Sequence, residues 1–177
     1  MRAAEAEETV LLVARPELTD PLYSQSILMA RALPSGEHVG FILNRPTEMK
    51  MAEAFPGNEA SKTITEPLYL GGPAELNAIF ALMHRPTAPK DGALPLADNL
   101  YLAVSGTAVD EAMMLGGNDK SRFFVGAVFW RVGELAEEIQ RGAWYVLEAK
   151  ADLVLPVKTI GLREKLVQQA EMLSSGT

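Results

Sequence analysis

No cysteine occurs anywhere in the 177 residues. That excludes disulfides, thiolate zinc sites, iron–sulfur clusters and thiol nucleophiles together. Histidine is nearly as scarce, with only His38 and His84, each beside an expected turn. A catalytic zinc typically draws on three protein ligands, and no Asp or Glu stands at helical spacing from either imidazole. The expectation is two structural histidines, with no metal and no other cofactor. No apolar run approaches the ~18 residues that cross a bilayer. The opening stretch sets Glu5, Glu7 and Glu8 against a lone Arg2, the reverse of a secretory signal, so a cytoplasmic location without membrane attachment is expected. Positive charge is also lacking: 16 basic residues face 23 acidic ones, for a net charge of −7. A polyanionic partner would be repelled unless a local basic face compensated.

What is present describes an ordinary globular chain. Hydrophobic residues make up 48% and charged residues 22%, which excludes disorder. The length suits one domain over residues 1–177, with 1–8 and 174–177 expected as frayed ends. Residues 10–14, 25–31 and 39–43 read as strands, the latter two joined into a hairpin by Pro34-Ser35-Gly36. Thr47 is expected to cap a short helix running to Phe55. Residues 56–66 and 86–95 read as loops, the second holding three prolines and a glycine. Between them lie expected strands at 68–70 and 78–83. A further strand at 99–105 precedes a helix from Thr107, with Asp110 at capping-box spacing and Gly116-Gly117 at its end.

Residues 123–130 are almost unbroken apolar sequence, as in a central strand covered on both faces. A helix over 134–141 follows, with Leu135 and Ile139 inward and Glu134, Glu137 and Glu138 outward. Trp130 and Trp144 flank this helix and are expected to pack it onto the sheet. A strand at 143–147 and a helix at 161–173 complete the chain. The helix has a stripe of Leu162, Leu166, Val167, Ala170 and Leu173. Strands dominate the first half and helices mix in later, so the class is α+β or mixed α/β.

Several short segments stand together in a characteristic order. They are Leu12-Val13-Ala14-Arg15-Pro16 with Asp20-Pro21, then Gly40-Phe41-Ile42-Leu43-Asn44-Arg45-Pro46, then Leu70-Gly71-Gly72-Pro73. Gly126 through Trp130 comes next, followed by Gly133-Glu134-Leu135, Glu138-Ile139 and Trp144. Through these the chain resembles the AlgH/YqgE family of small bacterial proteins, from about Leu11 to about Leu155. It departs from the family pattern in reading Gly126-Ala127-Val128-Phe129-Trp130 for Gly-Tyr-Ala-Gly-Trp. It also has Ala136 where the family's Gly-Gln-Leu-Glu ends, and Ala30-Arg31-Ala32 for a Cys-Glu-His-like stretch. The resemblance implies a divergent member: a single α+β domain with a mixed, strongly curved β-sheet flanked by helices. The family's name comes from a proposed role in transcriptional control of exopolysaccharide synthesis. The resemblance carries over no catalytic residue set.

Two turns can hold a ligand. Asn44-Arg45-Pro46 ends a strand, and Arg45 can grip a carboxylate or phosphate with two parallel hydrogen bonds. The same residues also make a plain strand-ending turn, with Arg45 bracing the first loop. Gly71-Gly72 can point backbone N–H groups together into an anion nest, or serve a tight turn. If the strands ending at Leu43 and Leu70 point the same way, both turns emerge on one edge and form a small-anion site. Neither a phosphate loop nor a dinucleotide fingerprint is present. Ser105-Gly106-Thr107 lacks the Gly-x-Ser-x-Gly setting of a hydrolase nucleophile and reads as helix capping.

No helix pair reads as a helix-turn-helix, so direct, specific DNA binding is not expected. The expected function is a non-catalytic binding or regulatory module, acting through a protein partner or a small anion. The alternative is an enzyme, hydrolase-like, whose residues converge only in the fold. The sequence leaves open the oligomeric state and the identity of any partner.

Overall fold

Both faces of the sheet are apolar along most of its strands, so layers are needed on both sides. A computed structural model shows how the chain supplies them. It describes residues 9–97, 99–116, 120–150, 155 and 161–175. Residues 1–8, Gly117 and residues 176–177 were expected as frayed ends or as part of a helix stop, and lie outside the described residues. The backbone of Ser174 and Ser175 continues the last helix.

The strands are β1 (Thr9–Ala14), β2 (Ile27–Ala32), β3 (His38–Ile42), β4 (Pro46–Lys50), β5 (Pro67–Leu70), β6 (Ala74–His84), β7 (Ala93–Ala97), β8 (Leu100–Ala103), β9 (Ser121–Trp130) and β10 (Trp144–Glu148). The helices are α1 (Met51–Ala54), α2 (Gly106–Leu115), α3 (Glu134–Gln140) and α4 (Leu162–Ser175), with a 3-10 turn at Glu59–Thr63. The strands form one curled, half-barrel sheet in the order β10-β1-β2-β3-β9-β6-β8-β7, with the β4–β5 pair joined to it through β9. Every pairing is antiparallel except β5 with β9. The sheet is therefore mixed, and the class is α+β.

Alternation along the strands divides the core. Leu11, Val13, Ile27, Met29 and Phe41 face one side, closed by Leu166, Val167 and Ala170 of α4. Leu12, Ala14, Leu28 and Ala30 face the other, covered by Leu135 of α3 with Trp130 and Trp144. Farther along that second side, α2 brings Val109 and Met113 against Phe123 and Ala81. Burial on both faces is why β1, β2 and β9 read as continuous apolar runs.

β9 changes phase at Gly126. Phe124 and Ala127 share one face although three residues apart, while Phe123 and Trp130 lie on the other. The β6–β9 register shifts over the same stretch, as in a β-bulge. Gly126 sits at φ 80°, and a Cβ there would lie 2.3 Å from the Gly72 carbonyl oxygen.

Several expectations are corrected. Thr47 caps no helix. It lies in β4, where its Oγ1 donates to the Leu68 carbonyl at 2.7 Å and accepts the Met49 N–H at 3.1 Å. The helix starts after Lys50, whose N–H donates to the Glu53 carboxylate at 2.9 Å. Pairing of β4 with β5 outcompetes the earlier helical start. Of the two capping candidates, Ser105 and Thr107, it is Ser105 that caps α2, accepting the Ala108 N–H at 3.1 Å. Pro95 belongs to β7, a strand at the sheet's edge, where a missing N–H leaves no ladder bond broken. The loop expected at 56–66 contains the 3-10 turn, and Ser61 and Ile64 are buried there. Leu173 of the α4 stripe is 61% exposed. No helix of the described residues is long and apolar enough to cross a membrane.

Candidate functional site: a tryptophan–glutamate cleft

The two expected ligand turns do meet. The strands β3 and β5 run in opposite directions, since β3 is antiparallel and β5 parallel to β9, so their C-terminal ends abut. The Leu70 N–H donates to the Arg45 carbonyl at 2.9 Å and the Ile42 N–H to the Gly71 carbonyl at 2.8 Å. Most polar groups there are engaged within the fold, although the buried Arg45 Nε–H has no acceptor among the described residues. Asn44 Oδ1 accepts the Ile27 N–H at 2.9 Å, and its Nδ2 donates to the Gln25 carbonyl at 3.1 Å. The Arg45 guanidinium donates to the Leu22 carbonyl. The Gly71 N–H donates to the Val125 carbonyl at 2.8 Å. A Cβ at Gly71 or Gly72 would fall 2.4 and 2.3 Å from the Gly126 and Ala127 carbonyl oxygens. These glycines allow β5 to approach β9, while Asn44 and Arg45 brace the 15–26 loop from behind.

That braced loop forms one wall of a different cavity. On the α3 side of the sheet, a cleft of about 300 Å³ opens between the loop, the end of β9, α3 and the start of β10. Asp20 and Tyr23 come from the loop, Trp130 from β9, Glu134, Glu138 and Arg141 from α3 and its C-cap, and Trp144 from β10.

Glu138 organises the site. Trp130 Nε1–H and Trp144 Nε1–H both donate to its Oε1, each at 2.9 Å. The two indoles are 3% and 4% exposed, so each N–H needs an internal acceptor. The expectation that Glu138 lies on an outward, solvated face is therefore corrected: one helical turn after Leu135, it points back toward the sheet. Its Oε2 has no hydrogen-bond partner among the described residues. The expectation that both tryptophans pack α3 onto the sheet holds, since both join Leu135 and Ile139 in one cluster.

The Tyr23 ring stands edge-on to Trp144, with centroids 6.1 Å apart. Burial, reinforced by the carboxylates of Asp20, Glu138 and Glu134, raises the Tyr23 hydroxyl above the usual tyrosine range, so it stays a protonated donor. Asp20 Oδ1 accepts the N–H groups of Leu22 and Tyr23 at 2.8 and 3.1 Å, which shapes the loop beside the cleft. The lining thus combines flat aromatic surfaces with Asp20, Glu134 and Glu138 against Arg141.

Burial pushes His38 below the usual histidine range, whereas His84 is exposed. Among the described residues no three His, Asp or Glu side chains are grouped to hold a metal. Sequence reasoning missed the cleft because its walls come from three separated segments. The signal was nonetheless present: Asp20, Trp130, Glu134, Glu138 and Trp144 all belong to the segments that carry the family resemblance.

Comparison with known proteins bears on the fold and the family. The profile of the AlgH-like family matches residues 11–172. A UPF0301 protein of Chlorobium phaeobacteroides is 34% identical over 146 residues, spanning 81% of this chain and 76% of its own. One from Chlorobaculum tepidum is 32% identical over the same shares. Among solved structures, protein DIP2367 of Corynebacterium diphtheriae superposes with a TM-score of 0.75 at 22% identity, over 93% of this chain and 86% of that one. The AlgH protein of Pseudomonas aeruginosa gives 0.71 at 22% identity, over 94% and 88%. These two show the fold. The profile and the sequence relatives show that the chain belongs to the AlgH-like family.

Proposed function

We propose that the protein is a non-catalytic binding module that docks a cationic side chain of a protein partner, lysine or arginine, in the tryptophan–glutamate cleft. The observation that carries this reading is the Glu138 carboxylate, fixed by two indole N–H groups on one oxygen and open on the other. A preoriented carboxylate beside aromatic surfaces suits an ammonium or guanidinium group with an apolar stem. The charge balance of the lining points the same way, three carboxylates against one guanidinium. Any regulatory effect would then run through the docked partner.

Trp130 and Trp144 are the chain's two tryptophans, so tryptophan emission, excited selectively over tyrosine, reports on this cleft. Titration with blocked lysine and arginine amides should give a saturable change, and the neutral norleucine analogue should give none. Glu138→Gln keeps an acceptor for both indoles but removes the charge, and should weaken binding by about tenfold or more. Equal responses to lysine and norleucine, or unchanged binding by Glu138→Gln, would refute the reading.

A further inference from the structure

On the far side of the loop that walls the tryptophan cleft lies a second cavity, of about 460 Å³, with the opposite chemistry. Its lining is Pro16, Leu18, Thr19, Ser24, Gln25 and Arg163. In a chain with net charge −7, the one charged side chain of this lining among the described residues is a guanidinium. We infer that this pocket, between the 16–25 loop and the first turn of α4, binds a small oxyanion, a carboxylate or phosphate group, through Arg163. The inference does not depend on the proposed function of the tryptophan cleft.

Arg163 is held in place from behind. Its Nη2 donates to the Ala14 carbonyl at the end of β1, at 2.8 Å, and its side chain is 14% exposed. One hydrogen bond to the strand end fixes the plane of a fork with five donors. Its Nε–H finds no acceptor among the described residues. The nearest carboxylate oxygen, Glu164 Oε2, stands 3.8 Å from Nη1 on a side chain that is 67% exposed. That contact is too long for a hydrogen bond and too solvated to neutralise the guanidinium.

The neutral groups complete a donor set. The hydroxyls of Thr19 and Ser24 and the amide of Gln25 make no side-chain hydrogen bond among the described residues, so each is available to turn a proton toward a ligand. Their backbone is braced from outside the pocket. Asn44 Nδ2 donates to the Gln25 carbonyl, and Arg45 donates to the Leu22 carbonyl. The residues expected from sequence to grip an anion thus hold the wall of a neighbouring anion pocket. Preorganisation of this kind lowers the ordering cost of binding a small ligand.

The test is amide and arginine side-chain NMR during titration with inorganic phosphate and, separately, acetate, each against chloride at matched ionic strength. Saturable shifts at Ser24, Gln25 and the Arg163 Nε–H are expected with at least one probe, and the probe that saturates first identifies the preferred class. Ser24→Asp places a carboxylate in the lining, and should weaken binding by about tenfold while leaving the remaining spectrum in place. Arg163→Lys keeps the charge but loses the fork, and should weaken binding as well. Shifts that never saturate, shifts centred on Arg45 and Gly71, or a Ser24→Asp protein that titrates like wild type would each overturn the site. Tryptophan fluorescence, read in parallel, reports the other cleft and separates failure here from failure there.

Discussion

Glu137 and Glu138 are adjacent, chemically identical and set in a helix of seven residues, yet they play unrelated parts. Glu137 faces solvent. Glu138 is the acceptor for two buried indoles, and its value to the fold lies in an oxygen atom more than in a charge. A helix this short gives too little periodicity to show which polar residue turns inward. Substitution separates the two contributions. Glu138→Ala strands both indole N–H groups, each costing about 1–3 kcal/mol when left unsatisfied. Glu138→Gln retains an acceptor oxygen, and should cost less than about 1 kcal/mol. Urea denaturation of the two variants should therefore rank alanine well below glutamine. The opposite ranking would mean that the carboxylate charge, not acceptance of the indole N–H groups, holds α3 to the sheet.

At the scale of elements, β9 is the centre of the molecule, paired with β3, β5 and β6. Its apolar run made the strand legible from sequence, but the bulge within it was not, because a lone glycine signals many things. The structure shows why glycine is required at that point. Gly126→Ala combines a left-handed backbone at φ 80° with a Cβ 2.3 Å from the Gly72 carbonyl oxygen, so β5 must be pushed away from β9. A cost of about 2–4 kcal/mol is expected. Gly133 supplies the control. It has φ 82° and no atom within 4 Å of an added Cβ, so Gly133→Ala should cost only about 1–2 kcal/mol for the backbone conformation. Thermal melts of both variants would check the difference, and equal melting temperatures would show that β5 yields freely.

The same contrast governs the rest of the chain. Strands buried on two faces were readable because their composition is dictated residue by residue. The helix start at Thr47 was misplaced because Thr and Ser hydroxyls serve turns, strands and caps alike. Arg45 was legible as a brace of the first loop, but its acceptor there is the Leu22 carbonyl, and the part of Asn44 in holding the same loop was not legible. The cleft at Trp130, Glu138 and Trp144 required three segments to be folded together before its chemistry could be recognised.

At the scale of the whole molecule, the arrangement of helices and charge bears on whether duplex DNA is a partner. α2 and α3 are separated by β9, and α3 and α4 by β10, so among the described residues no two helices form a helix-turn-helix. Among the described helices α4 alone carries several basic and amide side chains, but its outer face interleaves Lys165, Gln168 and Gln169 with Glu164 and Glu171. Arg163 is turned inward onto the Ala14 carbonyl, and Glu171 accepts the Tyr145 hydroxyl at 3.0 Å. Such a face offers few unopposed phosphate contacts, and the net charge of −7 opposes approach of a polyanion. Fluorescence anisotropy at ~50 mM salt, where phosphate contacts are strongest, should therefore show no sequence-discriminating binding to duplex DNA. A submicromolar affinity that distinguishes one sequence from another would overturn this. The basic surface would then have to come from outside the described residues or from a partner chain, because the faces of α2, α3 and α4 do not supply it.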